Sequence, residues 1–361
     1  MKLSDIGEFG LIERIRRSFQ TRSSKAPIGI GDDAAALLLS PSSLLLATTD
    51  MLIEGIHFDL SFTDFFSLGW KSGAVNLSDI AAMGGVPRFC LVALAIPPRV
   101  TVEHISEFYR GLTALSRAHG VHLVGGDTCS SRKGLVVSVT ALGEARRGQV
   151  VTRGGARPGD LVFVTGTLGD SAAGLELLKA GARVRGPGSG KAKKNSALRT
   201  EPALESLNRG HSELIERHLR PVPRVAEGLK LARSGCATSM IDVSDGLSSD
   251  LSHICEESGA GAEIYAGAIP LSGALTAYAG KGGKSGVGYA LAGGEDYEIL
   301  FTAPPARLAR LRALRIEVTQ IGRITRERGI RLIDEQGRRS LLEPSGYDHF
   351  RQPRKKKGGR R

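Results

Sequence analysis

The 361-residue sequence predicts a mixed α/β (α+β) fold in two halves, and three observations carry that prediction. Short apolar runs bounded by Gly, Pro and acidic residues alternate with stretches of helical periodicity. The alternation pauses near residue 147 and restarts with "PGDLVFVTG", and the length exceeds what one hydrophobic core usually fills. The expected divisions are 1–147, then 148–345 with a basic insertion near 181–212, and a tail at 346–361.

Each element follows from local chemistry. Leu11, Ile12, Ile15 and Phe19 recur at helical spacing, so residues 5–19 form an amphipathic opening helix. "AAALLL" and "SLLLATTD" form two strands joined by a turn at Pro41–Ser43. Residues 64–82 suit a helix stopped by Gly84–Gly85. "RFCLVALAI" is a strand ended by Pro97–Pro98, because proline cannot extend the ladder. A helix over 101–119 closes at Gly120, and strands "VHLVGGD" and "GLVVSVTALGEA" complete the first half. The second half opens as turn, strand, Gly-rich turn and helix. Helix 222–233, strand 237–243 and helix 246–258 follow, and α/β alternation continues to "IGRI".

Composition narrows the function classes. The 41% hydrophobic and 24% charged residues are those of a globular protein. No apolar run approaches the roughly 18 residues that cross a bilayer. "MKLSDIGEFGLIERI" carries acids and no apolar region, so it does not read as a signal peptide. Cys90, Cys129, Cys236 and Cys255 form no CxxC pair, which fits reduced thiols in a cytoplasm. The net charge of +12 is concentrated, with six Lys/Arg in 181–200 and seven in 351–361 and no acid in either. Without those thirteen, 36 basic residues face 37 acidic ones, so the body is near neutral. The two basic stretches read as solvated additions, with weak contact to RNA or membrane phosphates as the alternative.

The chemistry lies in a set of aspartates that follow apolar strands and precede small residues. They are Asp33 in "GIGDDAA", Asp50 in "LLLATTD", Asp127 in "HLVGGDT", and Asp242 with Asp245 in "MIDVSDGL". Asp79 in "NLSDIAAMGG" lies on or beside a helix. If strand ends converge on one sheet edge, these carboxylates repel strongly unless cations neutralise them. Oxygen-only ligands without His or Cys select a hard ion such as Mg²⁺. Small neighbours and the helix start at Ser244–Gly246 suit a bulky phosphate. Individually the aspartates have other readings: Asp245 as a helix cap, Asp32 as a turn bond. "YAGKGGKSG" and "GSGKAKK" miss the P-loop spacing, and no protein-kinase signature is present.

Those residues also carry a resemblance. "GIGDDAA", "TTDMLIEGIHF", "NLSDIAAMGG", "GGDT", "TGTLGDSAAGL", "IDVSDGLSSDL", "GGEDYEILF" and "GYDHF" resemble, in order, the signatures of the thiamine-monophosphate kinase family. That family belongs to the aminoimidazole-ribotide-synthetase (PurM-like) superfamily, and the match runs from about residue 5 to 350 around the 181–212 interruption. The resemblance implies a two-domain PurM-like homodimer whose N-terminal halves pair strands. It implies ATP-dependent phosphorylation of thiamine monophosphate to thiamine diphosphate, with several Mg²⁺ ions. Carried over by position, metal ligands fall on Asp33, Thr48, Thr49, Asp50, Asp79, Asp127, Asp242 and Asp245. ATP contacts fall on Gly126, Asp127, Arg153 and Ser244, and substrate contacts on His57, Glu295 and the neighbourhood of Pro344. Pro344 departs from the family, where an aromatic residue often stands before the closing motif.

A phosphate acceptor is largely dianionic at neutral pH, so no general base is expected. Selenophosphate synthesis needs an early reactive Cys, yet the first here is Cys90, and the hydrogenase-maturation relatives need a C-terminal Cys where this chain has Arg361. Aminoimidazole-ribotide synthesis remains the enzymatic alternative. A basic nucleic-acid-binding or scaffold protein is the alternative of another class.

Overall fold

A computed structural model describes residues 3–19, 24–184 and 212–346. Most of the basic insertion, the basic tail and all but the first residue of "GYDHF" lie outside these. Helix α1 spans Leu3–Phe19. A loop through Asp32 and Asp33 then enters the hairpin of β1 (Ala35–Ser40) and β2 (Ser43–Ile53). Helix α2 (Phe65–Ala82), β3 (Val86–Ile96), α3 (Val102–His119), β4 (His122–Ser130) and β5 (Val136–Arg146) complete a sheet ordered β1-β2-β5-β3-β4.

The signals that start and stop these helices act as the chemistry requires. Asp64 caps α2 by accepting from Ser67 N, and Thr101 with His104 forms a capping box on α3. Gly120 ends α3 in the left-handed conformation. Helices α2 and α3 cross in direct backbone contact. A Cβ on Gly69 would lie 1.8 Å from Phe108 O, and one on Gly111 would lie 1.8 Å from Phe66 O.

The second half is built on a sheet of β6 (Leu161–Thr165), β7 (Ser239–Asp242), β8 (Gly261–Tyr265), β9 (Ile299–Ala303), β10 (Val318–Thr325), β11 (Gly329–Ile333) and β12 (Arg339–Leu342), ordered β12-β11-β8-β10-β6-β9-β7. Its helices are α4 (Asp170–Val184), α5 (residues 212–219), α6 (Val225–Ser234), α7 (Leu247–Ser258), α8 (Gly273–Lys281), α9 (Gly286–Ala292) and α10 (Leu308–Ala313). Among the described strands only β3–β4 and β8–β11 pair in parallel, so the architecture is α+β rather than a doubly wound parallel sheet. No described helix is long and apolar enough to cross a membrane.

Helix α2 is the centre of the molecule. Fifteen of its eighteen residues are buried, because it packs on the first sheet and on α3 while also meeting α6 and β7 of the second half. A helix buried all round is normally apolar. This one carries Lys71, Ser72, Asn76, Ser78 and Asp79, so each of those polar groups requires a partner inside the protein.

The first sheet has a covered and an open face. Leu46, Leu52, Val92, Val137 and Val139 point inward and are buried. By strand alternation Leu45, Thr49, Met51, Phe89 and Thr140 lie on the other face, which no described element covers. Strand β4 is exposed along its whole length at the sheet edge, and β1 stops pairing with β2 at Ala47.

Candidate active site

The aspartates do not gather at strand ends on one sheet edge, as the alternation of elements suggested. They meet in the cleft between the halves, brought there by α2. Asp79 from α2, Asp33 from the loop before β1 and Asp242 at the end of β7 present oxygens all within 4.8 Å of one another. Asp50 sits in the middle of β2 rather than at its end, on the same inward face. Four polar side chains hold the group. Thr48 Oγ1 donates to Asp79 Oδ2 at 2.5 Å, and Ser78 Oγ to Asp242 Oδ2 at 2.6 Å. Asn76 Oδ1 accepts from Asp50 N at 3.1 Å. Arg153 Nη2 and Nε donate to Asp33 Oδ1 at 2.5 and 3.1 Å.

Burial and mutual repulsion act on the acids together. Desolvation, then the charge of Asp33, pushes Asp242 up to about 7. Desolvation and the charges of Asp50, Asp242 and Asp33 hold Asp79 well above the ordinary carboxylate range. Burial raises Asp50 to about 6, and burial with Asp33 raises Asp32 to about 7. Such a group is stable as carboxylates only with a cation among them. The fit to a hard divalent ion rests on two further atoms. Asp33 Oδ2 and Asp50 Oδ2 are buried without a hydrogen-bond partner, while every donor atom of the cluster is oxygen.

The remaining residues named from the sequence are distributed differently. Thr49 points to the open face, where its Oγ1 donates to Val139 O at 3.1 Å. The row Asp50–Val139–Val92–Gly126 runs across the first sheet. At about 4.8 Å per strand, Gly126 is therefore about 14 Å from Asp50 along the row. Asp127 pairs with Ala93 in the next row, on the open face, and the bulge at Val124 precedes it. Gly126 is required there, since a Cβ would lie 1.9 Å from Val92 O. One chain therefore separates Asp127 from the other carboxylates. Asp245 is not the cap of α7: Gly246 holds the cap position without a side-chain bond, and Asp250 accepts from Asp245 N and Gly246 N. Ser244 O accepts from Glu295 N at 2.7 Å, which ties "DVSDG" to "GGEDYE".

Glu295 lies at a second convergence in the cleft. Its Oε1 is 2.7 Å from Lys71 Nζ of α2, and its Oε2 is 3.3 Å from His218 Nδ1 of α5. Burial and the Lys71 charge push His218 down to about 3, so the imidazole is neutral. Burial opposes ionisation of Glu295, and the Lys71 charge outweighs it and holds the carboxyl below its ordinary value. His57 is within electrostatic reach of Glu295, and its Nδ1 accepts from Ile53 N at 2.9 Å. Pro344 is exposed and lines a cavity of about 320 Å³ between α7 and the β11–β12 hairpin. Ser345 N then bonds Ser248 Oγ at 3.2 Å, near the start of α7.

Asn76, Ser78, Lys71 and His218 were not singled out from the sequence. The first two lie inside the quoted "NLSDIAAMGG", so the motif contained that signal. Lys71 and His218 had none, since their partner comes from a distant segment.

The chain is similar to known proteins in both sequence and fold. The chain matches the AIR synthase related protein family, its N-terminal domain over residues 31–145 and its C-terminal domain over 157–335. It is 37% identical over 350 residues to the thiamine-monophosphate kinase of Aquifex aeolicus (strain VF5), covering 97% of this chain and 100% of that protein. The thiamine-monophosphate kinase of Escherichia coli (strain K12) is 37% identical, with 96% and 99% covered. The solved structure "AaThiL complexed with AMPPCP and TMP" superposes with a TM-score of 0.80 at 36% identity, covering 97% of this chain and 99% of that one.

Proposed function

This chain belongs to the thiamine-monophosphate kinase family of AIR synthase related proteins, and from that premise we infer that it transfers the γ-phosphoryl group of ATP to thiamine monophosphate, forming thiamine diphosphate. The observation that carries the mechanism is the buried carboxylate cluster with its two unsatisfied oxygens.

Asp33, Asp50, Asp79 and Asp242 would hold Mg²⁺, with Thr48 and Asp245 beside them. Bound Mg²⁺ supplies neutralisation of the charge on the triphosphate and the acceptor in an in-line transfer. The protein's own groups align the reactants and exclude water. Arg153 keeps a fixed positive charge in the cleft while restraining Asp33. Ser244, the turn into α7 and Arg153 would meet the nucleotide phosphates, with Gly126 and Asp127 of a second copy completing the ATP contacts. His57, Glu295 and the Pro344–Gly346 segment would line the thiamine phosphate side. No side chain is needed as a base, because the acceptor phosphate is already deprotonated at neutral pH. Three buried thiols and one exposed thiol without disulfides fit a cytoplasmic setting.

Purified protein with ATP, Mg²⁺ and thiamine monophosphate should release ADP and form thiamine diphosphate, whereas free thiamine should give no product. ATP binding without product from the monophosphate would refute the substrate assignment.

We further propose a homodimer. The exposed edge of β4 and the open apolar face with Met51 and Phe89 support it. So does the position of Asp127, which only a second copy can bring toward the cluster without refolding the sheet. Asp79→Asn and Asp127→Asn should each be inactive. After subunit exchange their mixture should recover up to about a quarter of wild-type activity, because half of the dimers carry one intact site of two. A monomer by light scattering, or an exchanged mixture with no recovery, would contradict this arrangement.

A further inference from the structure

We propose that Lys71 is a positioning residue for the substrate, fixing the Glu295 carboxylate in the cleft. The inference rests on the thiamine-monophosphate kinase reading and on four observations. Lys71 is the one lysine or arginine that is buried among the described residues, with a side chain 2% exposed. Its ammonium meets Glu295 Oε1 at 2.7 Å as an ion pair without an aligned hydrogen bond. Glu295 retains 28% exposure, so a carboxylate with about four lone-pair sites still faces the cleft. Its backbone is left-handed, with φ at +67°, two residues before Tyr297 at +53°. Strain at non-glycine residues persists where the surroundings over-determine a ligand-facing geometry.

Stability alone gives no reason for a lysine here. A buried helix position between two cores is better filled by an apolar side chain of similar size, because desolvating the ammonium costs more than the pair returns. What Lys71 does provide is a charge from the first half of the chain that locks a substrate-facing group of the second half. Nδ1 of neutral His218 lies 3.3 Å from the opposite oxygen and 3.1 Å from Ser171 Oγ. Lys71, Glu295, His218 and Ser171 thus form one line from α2 through the "GGEDYE" segment and α5 to the start of α4. A shift of Lys71 would release the carboxylate without touching the acidic cluster.

The test is steady-state formation of thiamine diphosphate by wild type, Lys71→Met, Glu295→Gln and the double variant. Lys71→Met should raise KM for thiamine monophosphate about tenfold, while KM for ATP changes by no more than about twofold. In the Glu295→Gln background the same change should leave KM for thiamine monophosphate unaltered or lower it, since no carboxylate remains to be held. Equal losses in both backgrounds, or a loss confined to kcat or to KM for ATP, would overturn the proposal. If Lys71→Met does not fold, Glu295→Gln against the double variant still decides it by the same criterion, as the double variant leaves no charge unpaired. A wild type that makes no thiamine diphosphate would instead remove the functional reading, before any variant is compared.

Discussion

Asp79→Asn is expected to lower kcat/KM by roughly a hundredfold or more, as removal of a ligand from a charge-neutralising metal site costs several kcal/mol of transition-state stabilisation. It is not expected to destabilise the metal-free protein, since it removes one of several like charges buried within 4.8 Å of each other. The sign of the pH dependence follows from the raised values. Asp242 titrates near 7 in the folded chain and Asp79 well above the ordinary carboxylate range. Between about pH 4 and about pH 7 the native state therefore holds protons that the unfolded chain has released, and stability in EDTA falls as pH rises. Mg²⁺ opposes that fall, so the rise in Tm on adding it should be small near about pH 5 and large near about pH 8 in the wild type. In Asp79→Asn the Mg²⁺ effect should shrink at both. Turnover close to wild type at low Mg²⁺, or a Tm response to Mg²⁺ that does not depend on pH, would sink the metal assignment.

Replacing Glu298 by alanine should cost about 3–5 kcal/mol of stability, the usual consequence of removing one partner from a buried charge network. Its fully buried carboxylate receives Arg224 Nε at 2.6 Å and Nη2 at 2.5 Å, Arg217 Nη2 at 3.0 Å and Thr165 Oγ1 at 2.6 Å. Even the turn after β6 is shaped around it, since a Cβ on Gly166 would lie 2.3 Å from Glu298 Oε1. Alanine leaves two guanidinium groups with only longer alternatives: Thr167 Oγ1 at 3.4 Å and Asp170 at 3.7 Å from Arg217, and Glu227 at 4.0 Å from Arg224. Both arginines are about one-fifth exposed, and water reaching them sets the loss toward the lower figure. Urea unfolding measures it directly, with Glu298→Gln as the shape-conserving control that should lose less. KM for thiamine monophosphate should rise with the alanine variant, because Glu298 anchors the segment that presents Glu295. An alanine variant as stable as the wild type would show that the network is not holding this segment.

Much of the layout was legible from local chemistry. The α2 boundaries follow from Asp64 and the glycines after Met83, and the β1–β2 hairpin follows from two apolar runs around one turn. Asp33, Asp79 and Asp242 were legible as members of one set, because the same pattern of an acid beside small residues recurs several times along the chain. Their geometry was less so. Asp50 and Asp127 were expected at strand ends, but the strands continue past both, because edge pairing is decided by neighbours distant in the chain. Thr49 and Thr48 are adjacent yet point to opposite faces, which the two-residue period decides once the register is set.

By itself, then, the sequence determined which groups were candidates for chemistry: the recurrent aspartates beside small residues, and the eight ordered segments that carry the family resemblance. These follow from residue type and spacing, which short-range sterics and charge make readable. Tertiary structure alone decided which of those groups meet. It brought Asp33, Asp79 and Asp242 together across two sheets, and set Asp127 on the far face of its own. It also placed Lys71 against Glu295 from the other half of the chain. The physical reason is that a buried charge is tolerated only beside a partner, and that partner is chosen by packing between elements rather than by proximity along the chain.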